Sequence, residues 1–425
     1  MIDIELIRKN PELVKEALLK RGADVDIDYI REVDAKRLAA LRELEDMRAL
    51  HNIASDAIAQ KSGTERDEAI TKSKELKDRI GHKEFEQKTL EDEVNELLNQ
   101  IPNLPLPEVP AGVSEKDNVV LREVGDKPNF DFEPKDHVLL GADLGIIDFE
   151  SGSKVTGAGF YYLKNEGVLL EMALAHYALD LLKLRGFSLW LTPDMSRERF
   201  YLGTGYLPRG PEAQIYEIKE SDLGLIATAE VTLAGIHADE ILAEERLPMR
   251  YAGYSHCFRQ EAGSYGKYSR GLYRVHQFTK VEMFAFVGPE DSAAMHEELL
   301  GIEETLWRGL KIPYRVVEMC AGDLGAQAAR KFDLEAWMPG RADWGEVTST
   351  SNTTDYQARN LSIRYRQKDG GNEFVHTLNG TAVATSRAII AILENYQEKD
   401  GSVRIPETLR PYMGGIEKIS PITHA

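Results

Sequence analysis

Two long runs of apolar residues at helical spacing lie near the start of the chain, and they constrain its fold more than any other feature. In each run the apolar residues recur every three to five positions: Leu38, Leu41, Leu44, Met47, Leu50, Ile53 and Ile58, then Leu76, Ile80, Phe85, Leu90, Val94, Leu97 and Ile101. Residues 61–64 (KSGT) separate the runs as a turn. Because amphipathic helices joined by a short turn run antiparallel, we predict a coiled-coil hairpin about 45 Å long.

The segments on either side of the hairpin set the predicted domain boundaries. Asn10 and Pro11 begin a short helix and Gly22 ends it, so residues 11–21 are predicted to be helical. Four prolines within residues 101–110 bar a helix and favour a stiff, extended linker. A chain of 425 residues is also longer than one hydrophobic core usually serves. We therefore predict an N-terminal domain at 1–103, a linker at 104–115 and a larger domain at 116–425.

The charges of the hairpin leave its role open. Residues 31–100 carry thirteen Lys and Arg against seventeen Asp and Glu, so no basic stripe runs the length of the arm. Lys72, Arg79 and Lys83 share one helical face, a pattern that is usually only a solvated surface. A net charge of −19 argues against a protein that coats nucleic acid non-specifically. A spacer or dimerising coiled coil and a binding arm are both compatible with this sequence.

The composition also bears on the compartment in which the protein works. No stretch approaches the roughly 18 apolar residues that crossing a bilayer requires, and the start, MIDIELIRKN, carries charges where a signal peptide is apolar. The two cysteines, Cys257 and Cys320, lack the CxxC neighbour of a thiolate zinc site. We expect a cytoplasmic protein with no membrane partner, whose cysteines are buried thiols.

Beyond the prolines the pattern changes to short β-rich runs mixed with helices. The predicted strands are residues 160–163, 273–278 and 373–378, and the predicted helices are residues 167–185, 291–310 and 382–398. The strands do not alternate evenly with the helices. This pattern favours an α+β fold with a mostly antiparallel sheet over a doubly wound parallel one.

Common phosphate-binding signatures are missing from the sequence. Residues 263–267 (GSYGK) do not satisfy GxxxxGK[ST], and Gly203 and Gly205 lack the third glycine of a dinucleotide-binding turn. A nucleotide, if one binds, must be held by another kind of site.

Three separated segments carry a combined pattern. The first is residues 186–193 (GFSLWLTP), a helix end leading into a strand that stops at a proline. The second is residues 258–261 (FRQE) followed, after a loop, by residues 274–278 (RVHQF). The third is residues 378–387 (LNGTAVATSR), where a strand delivers an arginine to the start of a helix. Together and in this order they resemble the signature motifs of class II aminoacyl-tRNA synthetases.

Further short segments match one family within this class of enzymes. They are residues 228–230 (TAE), 261–264 (EAGS), 270–272 (RGL), 274–278 (RVHQF), 280–282 (KVE) and 393–396 (LENY). As a set they are similar to bacterial-type seryl-tRNA synthetases, and the likeness includes the N-terminal hairpin. It implies a class II synthetase α+β fold with a mostly antiparallel sheet flanked by helices, preceded by the coiled-coil arm, and a homodimer.

The resemblance also implies a reaction. The family activates L-serine with ATP and Mg²⁺ to seryl-adenylate and transfers serine to tRNA(Ser), and also to tRNA(Sec). Two alternatives belong to other classes. A related enzyme that loads a carrier protein would lack the arm, and a catalytically inactive scaffold would not need the charged residues of the motifs.

By resemblance, three residues are catalytic. Arg259 bridges the serine carboxylate and the α-phosphate, Glu261 helps to hold the adenine, and Arg387 meets the γ-phosphate; planar, bidentate guanidinium groups suit this work better than lysine does. The resemblance assigns ATP binding to Arg259, Gln260, Glu261, Val275, Phe278, Glu346, Val347, Thr348, Ser349 and Arg387, with Phe278 stacking on adenine. Glu346 and Ser349 are the implied Mg²⁺ ligands. Each assignment has an ordinary alternative: a surface ion pair for either arginine, core packing for Phe278 and Val275, and an exposed loop carboxylate for Glu346.

Serine recognition is assigned in the same way to Thr228, Ala229, Glu230, Arg259, Glu282, Asn379 and Thr381. Thr228 and Glu230 would receive the α-ammonium, and Glu282 and Thr381 the hydroxyl. A buried site that hydrogen-bonds a hydroxyl rejects ligands without one, because its own polar groups are then left unpaired. An ion pair between Glu282 and Lys280 is the alternative for that carboxylate. The sequence departs from the usual family pattern at Gly159, Ala382 and Ser386.

Overall fold

A computed structural model describes residues 1–206, 215–261 and 271–422. By the density of its internal contacts the chain divides into two compact units, Met1–Leu104 and Pro105–Ala425. Each unit is built from its own elements and is described separately.

The helices and strands of the described residues are named in chain order. The helices are α1 (Ile4–Lys9), α2 (Pro11–Lys20), α3 (Ile27–Ile58), α4 (Thr64–Asn99), α5 (His137–Asp143), α6 (Phe149–Thr156), α7 (Glu166–Leu184), α8 (Glu198–Thr204), α9 (Glu230–Gly235), α10 (Ser292–Leu310), α11 (Tyr356–Leu361) and α12 (Thr385–Asn395). The strands are β1 (Val119–Val124), β2 (Ile147–Asp148), β3 (Tyr162–Leu163), β4 (Ser188–Leu191), β5 (Met195–Arg197), β6 (Tyr216–Glu217), β7 (Leu223–Leu225), β8 (Ile241–Ala243), β9 (Met249–Phe258), β10 (Gln277–Val287), β11 (Tyr314–Glu318), β12 (Arg330–Met338), β13 (Asp343–Asn352), β14 (Arg364–Arg366), β15 (Asn372–Phe374), β16 (His376–Ala384), β17 (Val403–Arg404) and β18 (Lys418–Ile419).

The first unit contains the predicted antiparallel hairpin, formed by α3 and α4. Asp26 caps α3 by accepting a hydrogen bond from the backbone of Tyr29, and Gly63, in the left-handed region at φ +59°, precedes α4. Side-chain bonds cross the hairpin between Tyr29 and Glu93, between Glu43 and Lys83 and between His51 and Ser73. As the residue number rises on one helix it falls on the other, so the hairpin prediction is confirmed.

The apolar seam of the arm differs from the prediction near its distal end. Leu50, Ile53 and Phe85, placed in the seam by the sequence pattern, are 58%, 66% and 76% exposed. Residues with smaller or polar side chains face inward instead, and the ring of His51 lies 3.3 Å from the Ser73 hydroxyl. A loose count of three to five residues tracks helicity but not the strict 3.5-residue repeat that keeps a seam in register, which is why these three assignments are wrong.

The larger unit is organised around an eight-stranded sheet. Its strand order is β1-β11-β12-β13-β16-β10-β9-β4, and the β4 to β9 pairing is the parallel one among otherwise antiparallel neighbours. Helices α7, α10 and α12 pack on the sheet through buried side chains, including Leu174, Trp307 and Ile389. The α+β class and the mostly antiparallel sheet are therefore confirmed.

Predicted element bounds hold to different degrees. The helices predicted at 167–185 and 291–310 lie within one residue of α7 and α10. The helix predicted at 382–398 begins later, because β16 continues to Ala384, which pairs with Lys280 on β10.

The predicted strands are less accurate. The run at 160–163 is a strand only at β3, and the run at 273–278 becomes a strand only at Gln277. The run at 373–378 divides between β15 and β16. Local β-propensity fails here because tertiary pairing decides where each ladder starts.

Two further features bear on the sequence predictions. Cys257 and Cys320 are free and buried, as expected. Among the described residues, no helix is both long enough and apolar enough to cross a membrane.

Candidate active site

A cavity of about 300 Å³ lies over the central strands of the larger unit. Its lining residues are Tyr206, Glu230, Arg259, Glu261, Tyr273, Arg274, Val275, Phe278, Lys280, Glu282, Gly325, Gln327, Ala328, Lys331, Glu346, Val347, Thr348, Ser349, Ser351, Asn379, Thr381, Ala384, Ser386 and Arg387. Most of the residues singled out by sequence therefore lie around one space. Thr228, Ala229 and Gln260 do not line it.

Those three residues lie beside the cavity wall. Thr228 and Ala229 are fully buried at the start of α9, where the Thr228 hydroxyl accepts a hydrogen bond from the backbone N–H of Glu230 at 3.3 Å. The Gln260 amide donates to the backbone carbonyl of Ile215 at 2.7 Å. Their side chains are placed to hold neighbouring groups, and their predicted roles as direct ligands remain predictions.

Strand β10 supplies one row of the cavity wall. Phe278, Lys280 and Glu282 alternate along it, and residues two apart on a strand face the same side of a sheet. Arg259 follows directly after β9, and its guanidinium lies 5.4 Å from the centre of the Phe278 ring. Arg387 enters from the first turn of α12. The sheet thereby brings together arginines that are 128 positions apart in sequence.

A β-bulge orients the carboxylate and the hydroxyl predicted to bind Mg²⁺. Strands β12 and β13 pair Thr348 with Leu334 but Glu346 with Glu335, so Val347 is the extra residue. Without the bulge, the odd spacing of Glu346 and Ser349 would put them on opposite faces of the sheet. With it they share a face, whereas the Thr348 hydroxyl donates to buried Glu303 at 2.7 Å on the other side.

Arg387 and Glu346 form an ion pair in the wall of the cavity. The Arg387 guanidinium lies 2.9 Å from the Glu346 carboxylate, donates to its backbone carbonyl at 3.0 Å and stacks over the Tyr273 ring at 4.9 Å. Burial raises the pKa of Glu346, but the charges of Arg387, Lys331 and Arg259 outweigh it and lower the pKa to about 2. Glu346 is thus an anion at any physiological pH.

Glu230 is another carboxylate that lines the cavity. It is 1% exposed; one carboxylate oxygen accepts from the Tyr206 hydroxyl at 2.7 Å and the other from the Gln357 amide at 2.6 Å. The Thr377 hydroxyl donates to the other end of that amide, which fixes the amide orientation. Burial, followed by the charge of Glu282, raises the pKa of Glu230 to about 7.

Glu282 lies on the cavity wall with a different set of partners. One of its oxygens lies 2.5 Å from the Lys280 ammonium and accepts from the Thr381 hydroxyl at 3.4 Å. Glu282 and Thr381 face each other across the β10 and β16 ladder. The ion pair with Lys280, the alternative recognised from sequence, is present inside the cavity itself.

Gly159 is explained by the ring of His276. Gly159 has a φ of +85°, in the left-handed region that favours glycine, and a Cβ there would lie 2.4 Å from a ring carbon of His276. The same ring stacks on Phe160 and places its Nδ1 atom 2.9 Å from the carbonyl of Arg259 and 2.9 Å from the Tyr216 hydroxyl. The departure from the family pattern therefore leaves room for a histidine that supports Arg259.

Sequence reasoning assigned no role to several residues of the site. Tyr206 and Gln357 carry no motif, and only their contacts with Glu230 identify them. Arg274 belongs to a motif, but its ion pair with Glu261 at 2.9 Å was not foreseen. The motif residues at 262–270, including Gly263, Ser264 and Arg270, lie outside the described residues.

Among the described residues, no group of three or more His, Cys, Asp and Glu side chains could hold a metal ion. Glu346 and Ser349 nevertheless offer two oxygen donors on one sheet face. Such a donor set suits Mg²⁺, which takes one or two protein oxygens and completes its shell with phosphates and water.

A mostly antiparallel sheet that presents one arginine after a strand and another at a helix start to the same cavity agrees with the class II aminoacyl-tRNA synthetases, whose signature motifs the sequence resembles. Two family descriptions match: "Seryl-tRNA synthetase N-terminal domain" over residues 1–105 and "tRNA synthetase class II core domain (G, H, P, S and T)" over residues 215–396. The chain belongs to the seryl-tRNA synthetase family.

Individual relatives cover nearly the whole chain. It is 57% identical over 415 residues to the serine–tRNA ligase of Rubrobacter xylanophilus, covering 97% of this chain and 98% of that one. It is 54% identical over 424 residues to the serine–tRNA ligase of Dictyoglomus turgidum, covering 99% and 100%. The crystal structure of seryl-tRNA synthetase from Pyrococcus horikoshii complexed with ATP matches with a TM-score of 0.90 and 43% identity, covering 100% of both chains.

Proposed function

We propose that this protein is a serine–tRNA ligase that activates L-serine with ATP to seryl-adenylate and then transfers serine to tRNA(Ser) and tRNA(Sec). The main observation in support is that Arg259, Glu282 and Arg387, which come from three distant segments, line one cavity. Full-length relatives named serine–tRNA ligase support the assignment. A tRNA-charging enzyme of this kind would work in the cytoplasm.

The first step needs an in-line attack of the serine carboxylate on the α-phosphate of ATP, with pyrophosphate leaving. Negative charge gathers on phosphate oxygens, so the protein contributes by positioning the reactants and by preorganised cations. Arg259 would bind the serine carboxylate and the α-phosphate together. Arg387 would take the γ-phosphate, and Phe278 would stack on the adenine while Glu261 holds its edge.

Glu346 and Ser349 would hold Mg²⁺ against the triphosphate, where the ion supplies further charge neutralisation. Glu346 is ionised and already lies beside Arg387, so ATP must share Arg387 with this carboxylate. The anionic carboxylate is also what keeps the uncompensated positive charge low before the nucleotide arrives.

Serine would lie between two carboxylates. Glu230 would accept the α-ammonium, and Glu282 with Thr381 would read the hydroxyl, with Asn379 on the same wall. An analogue without the hydroxyl would leave those buried groups unpaired, which costs about 1–3 kcal/mol per group. Close walls would exclude the added methyl group of threonine.

The homodimer is part of the proposal. β4 is the edge strand of the large sheet, and Leu189, Trp190 and Leu191 on it are 44%, 40% and 81% exposed. An exposed apolar edge strand invites pairing with a second copy. Light scattering should give a dimer for the native chain, and a monomeric native chain would contradict the proposal. Leu191→Glu should shift the population toward monomer.

Pyrophosphate exchange into ATP, measured against twenty amino acids, tests the activity. Serine should support exchange far better than alanine, threonine or cysteine. No exchange with serine, while another amino acid supports it, would overturn the assignment.

Two alternative functions were an enzyme that loads a carrier protein and an inactive scaffold. The arm distinguishes the proposed function from the first, and the charged residues of the cavity distinguish it from the second. Deleting residues 31–100 should spare serine-dependent exchange and abolish tRNA charging. Unchanged charging would show that the hairpin is a spacer, and charging of a carrier protein instead of tRNA would favour the other class of enzyme. The retained Arg259, Glu282 and Arg387 argue against an inactive scaffold.

A further inference from the structure

The two carboxylates of the proposed serine pocket have unlike partners. Glu230 receives only neutral donors among the residues that the structure describes, the Tyr206 hydroxyl and the Gln357 amide. Glu282 instead lies 2.5 Å from the ammonium group of Lys280. One carboxylate thus has no charged hydrogen-bond donor among those residues, and the other is paired with a built-in cation.

Lys280 forms its ion pair with Glu282, and its charge also lowers the pKa of Glu230. Its side chain is 7% exposed and that of Glu282 is 3% exposed, so water screens the pair little. Both residues project from the same face of β10, and both line the cavity.

The unlike partners matter because the ligand also has two unlike groups. A buried carboxylate without a counter-charge binds a cation most favourably. A carboxylate already paired with an ammonium has its charge balanced, and it can accept a hydrogen bond from a neutral hydroxyl without demanding a second cation. The α-ammonium therefore suits Glu230, and the hydroxyl suits Glu282.

We infer that Lys280 is a specificity-determining residue, which sets the pocket to take a neutral hydroxyl at Glu282 and to reject an amine there. This inference rests on the proposed function. The ligand that tests it is L-2,3-diaminopropanoate, which matches serine in size and carries a second ammonium in place of the hydroxyl. In the native pocket that second ammonium would lie beside the ammonium group of Lys280. Because two like charges in contact repel each other, the analogue should bind at least about 100-fold more weakly than serine.

The experiment compares the serine KM with the inhibition constant of L-2,3-diaminopropanoate in pyrophosphate exchange. Both are measured at one pH, low enough for both amines of the analogue to be protonated, so that any loss of charge on Glu230 affects the two ligands alike. The native chain should bind the analogue at least about 100-fold more weakly than serine. Lys280→Met should lower that ratio about tenfold or more, because Glu282 then lacks a cation. Lys280→Arg keeps the charge and should keep the ratio high.

A double variant separates charge from structure. Lys280→Met with Glu282→Gln leaves the pair uncharged, so the preference for serine over the analogue should return toward the native value. Glu282→Gln alone leaves Lys280 unbalanced and should exclude the analogue further, which provides a readout even if Lys280→Met fails to fold.

Several results would overturn the inference. It fails if Lys280→Met weakens serine and the analogue by the same factor, because Lys280 would then only support the fold. It also fails if Glu282→Gln alone admits the analogue. Failure of the proposed function is distinguishable, because the native chain would then show no serine-dependent exchange.

Discussion

The protonation state of Glu230 should control serine binding near neutral pH. Its pKa is raised to about 7 because the group is buried and lies near the charge of Glu282. The α-ammonium of free serine stays protonated through this range, so the pH dependence reports the carboxylate. In the proposed pocket serine binds to the ionised form of Glu230, which predominates above pH 7 and is lost below it.

The size of the effect follows from that pKa. Lowering the pH from 8 to 6 leaves roughly one carboxylate in eleven ionised, so the serine KM should rise about tenfold while the ATP KM changes much less. The stability effect has the opposite sign. The folded protein binds the proton more tightly than an unfolded glutamate does, so ionising Glu230 costs the fold about 3 kcal/mol between pH 4.5 and 7.

Pyrophosphate exchange at a series of pH values measures this dependence. The Tyr206 hydroxyl lowers the pKa of Glu230, so Tyr206→Phe should move the midpoint of the KM profile to higher pH. Tyr216→Phe is the matched control, because Tyr216 bonds His276 instead. Glu230→Gln should unfold at higher denaturant than the native chain at pH 8, with weak serine binding.

A serine KM that stays flat from pH 6 to pH 8 would refute this reasoning. An equal midpoint shift in Tyr206→Phe and Tyr216→Phe would also refute it, since the titrating group would then be one other than Glu230.

Three more substitutions test the site. His276→Asn keeps an N–H that can donate to the Arg259 carbonyl and should retain most activity, whereas His276→Leu should lose roughly tenfold in exchange rate; equal losses would contradict a role for that bond. Arg387→Lys should lower kcat/KM for ATP about 100-fold in steady-state kinetics, because an ammonium cannot replace a planar fork, and a near-native value would place the γ-phosphate elsewhere. Gly159→Ala should cost about 1–3 kcal/mol in denaturant unfolding, from its positive φ and its approach to the His276 ring, and an unchanged midpoint would show that both are relieved.

The motif residues were predictable because short segments of the sequence resemble the signature motifs of the class II synthetases. That resemblance placed Arg259 after a strand and Arg387 at the start of a helix. The antiparallel sheet and the hairpin were predictable because their hydrophobic patterns repeat over long segments.

The features of the site and the arm that could not be predicted from the sequence depend on tertiary structure. Gln357 reaches Glu230 across 127 positions, and nothing in its own segment marks it as part of a binding site. The bulge at Val347 reverses the face that residue 349 would otherwise occupy, and no residue type there signals it. In the arm, helical spacing alone did not separate the buried Leu44 from the exposed Phe85.

A crystal structure with seryl-sulfamoyl-adenosine, a non-hydrolysable mimic of the adenylate, tests the central claim most directly. We expect the adenine on Phe278, the Arg259 guanidinium on the sulfamoyl linkage, the α-ammonium at Glu230 and the hydroxyl at Glu282. An analogue bound outside this cavity, or bound within it with the ammonium at Glu282, would contradict the account.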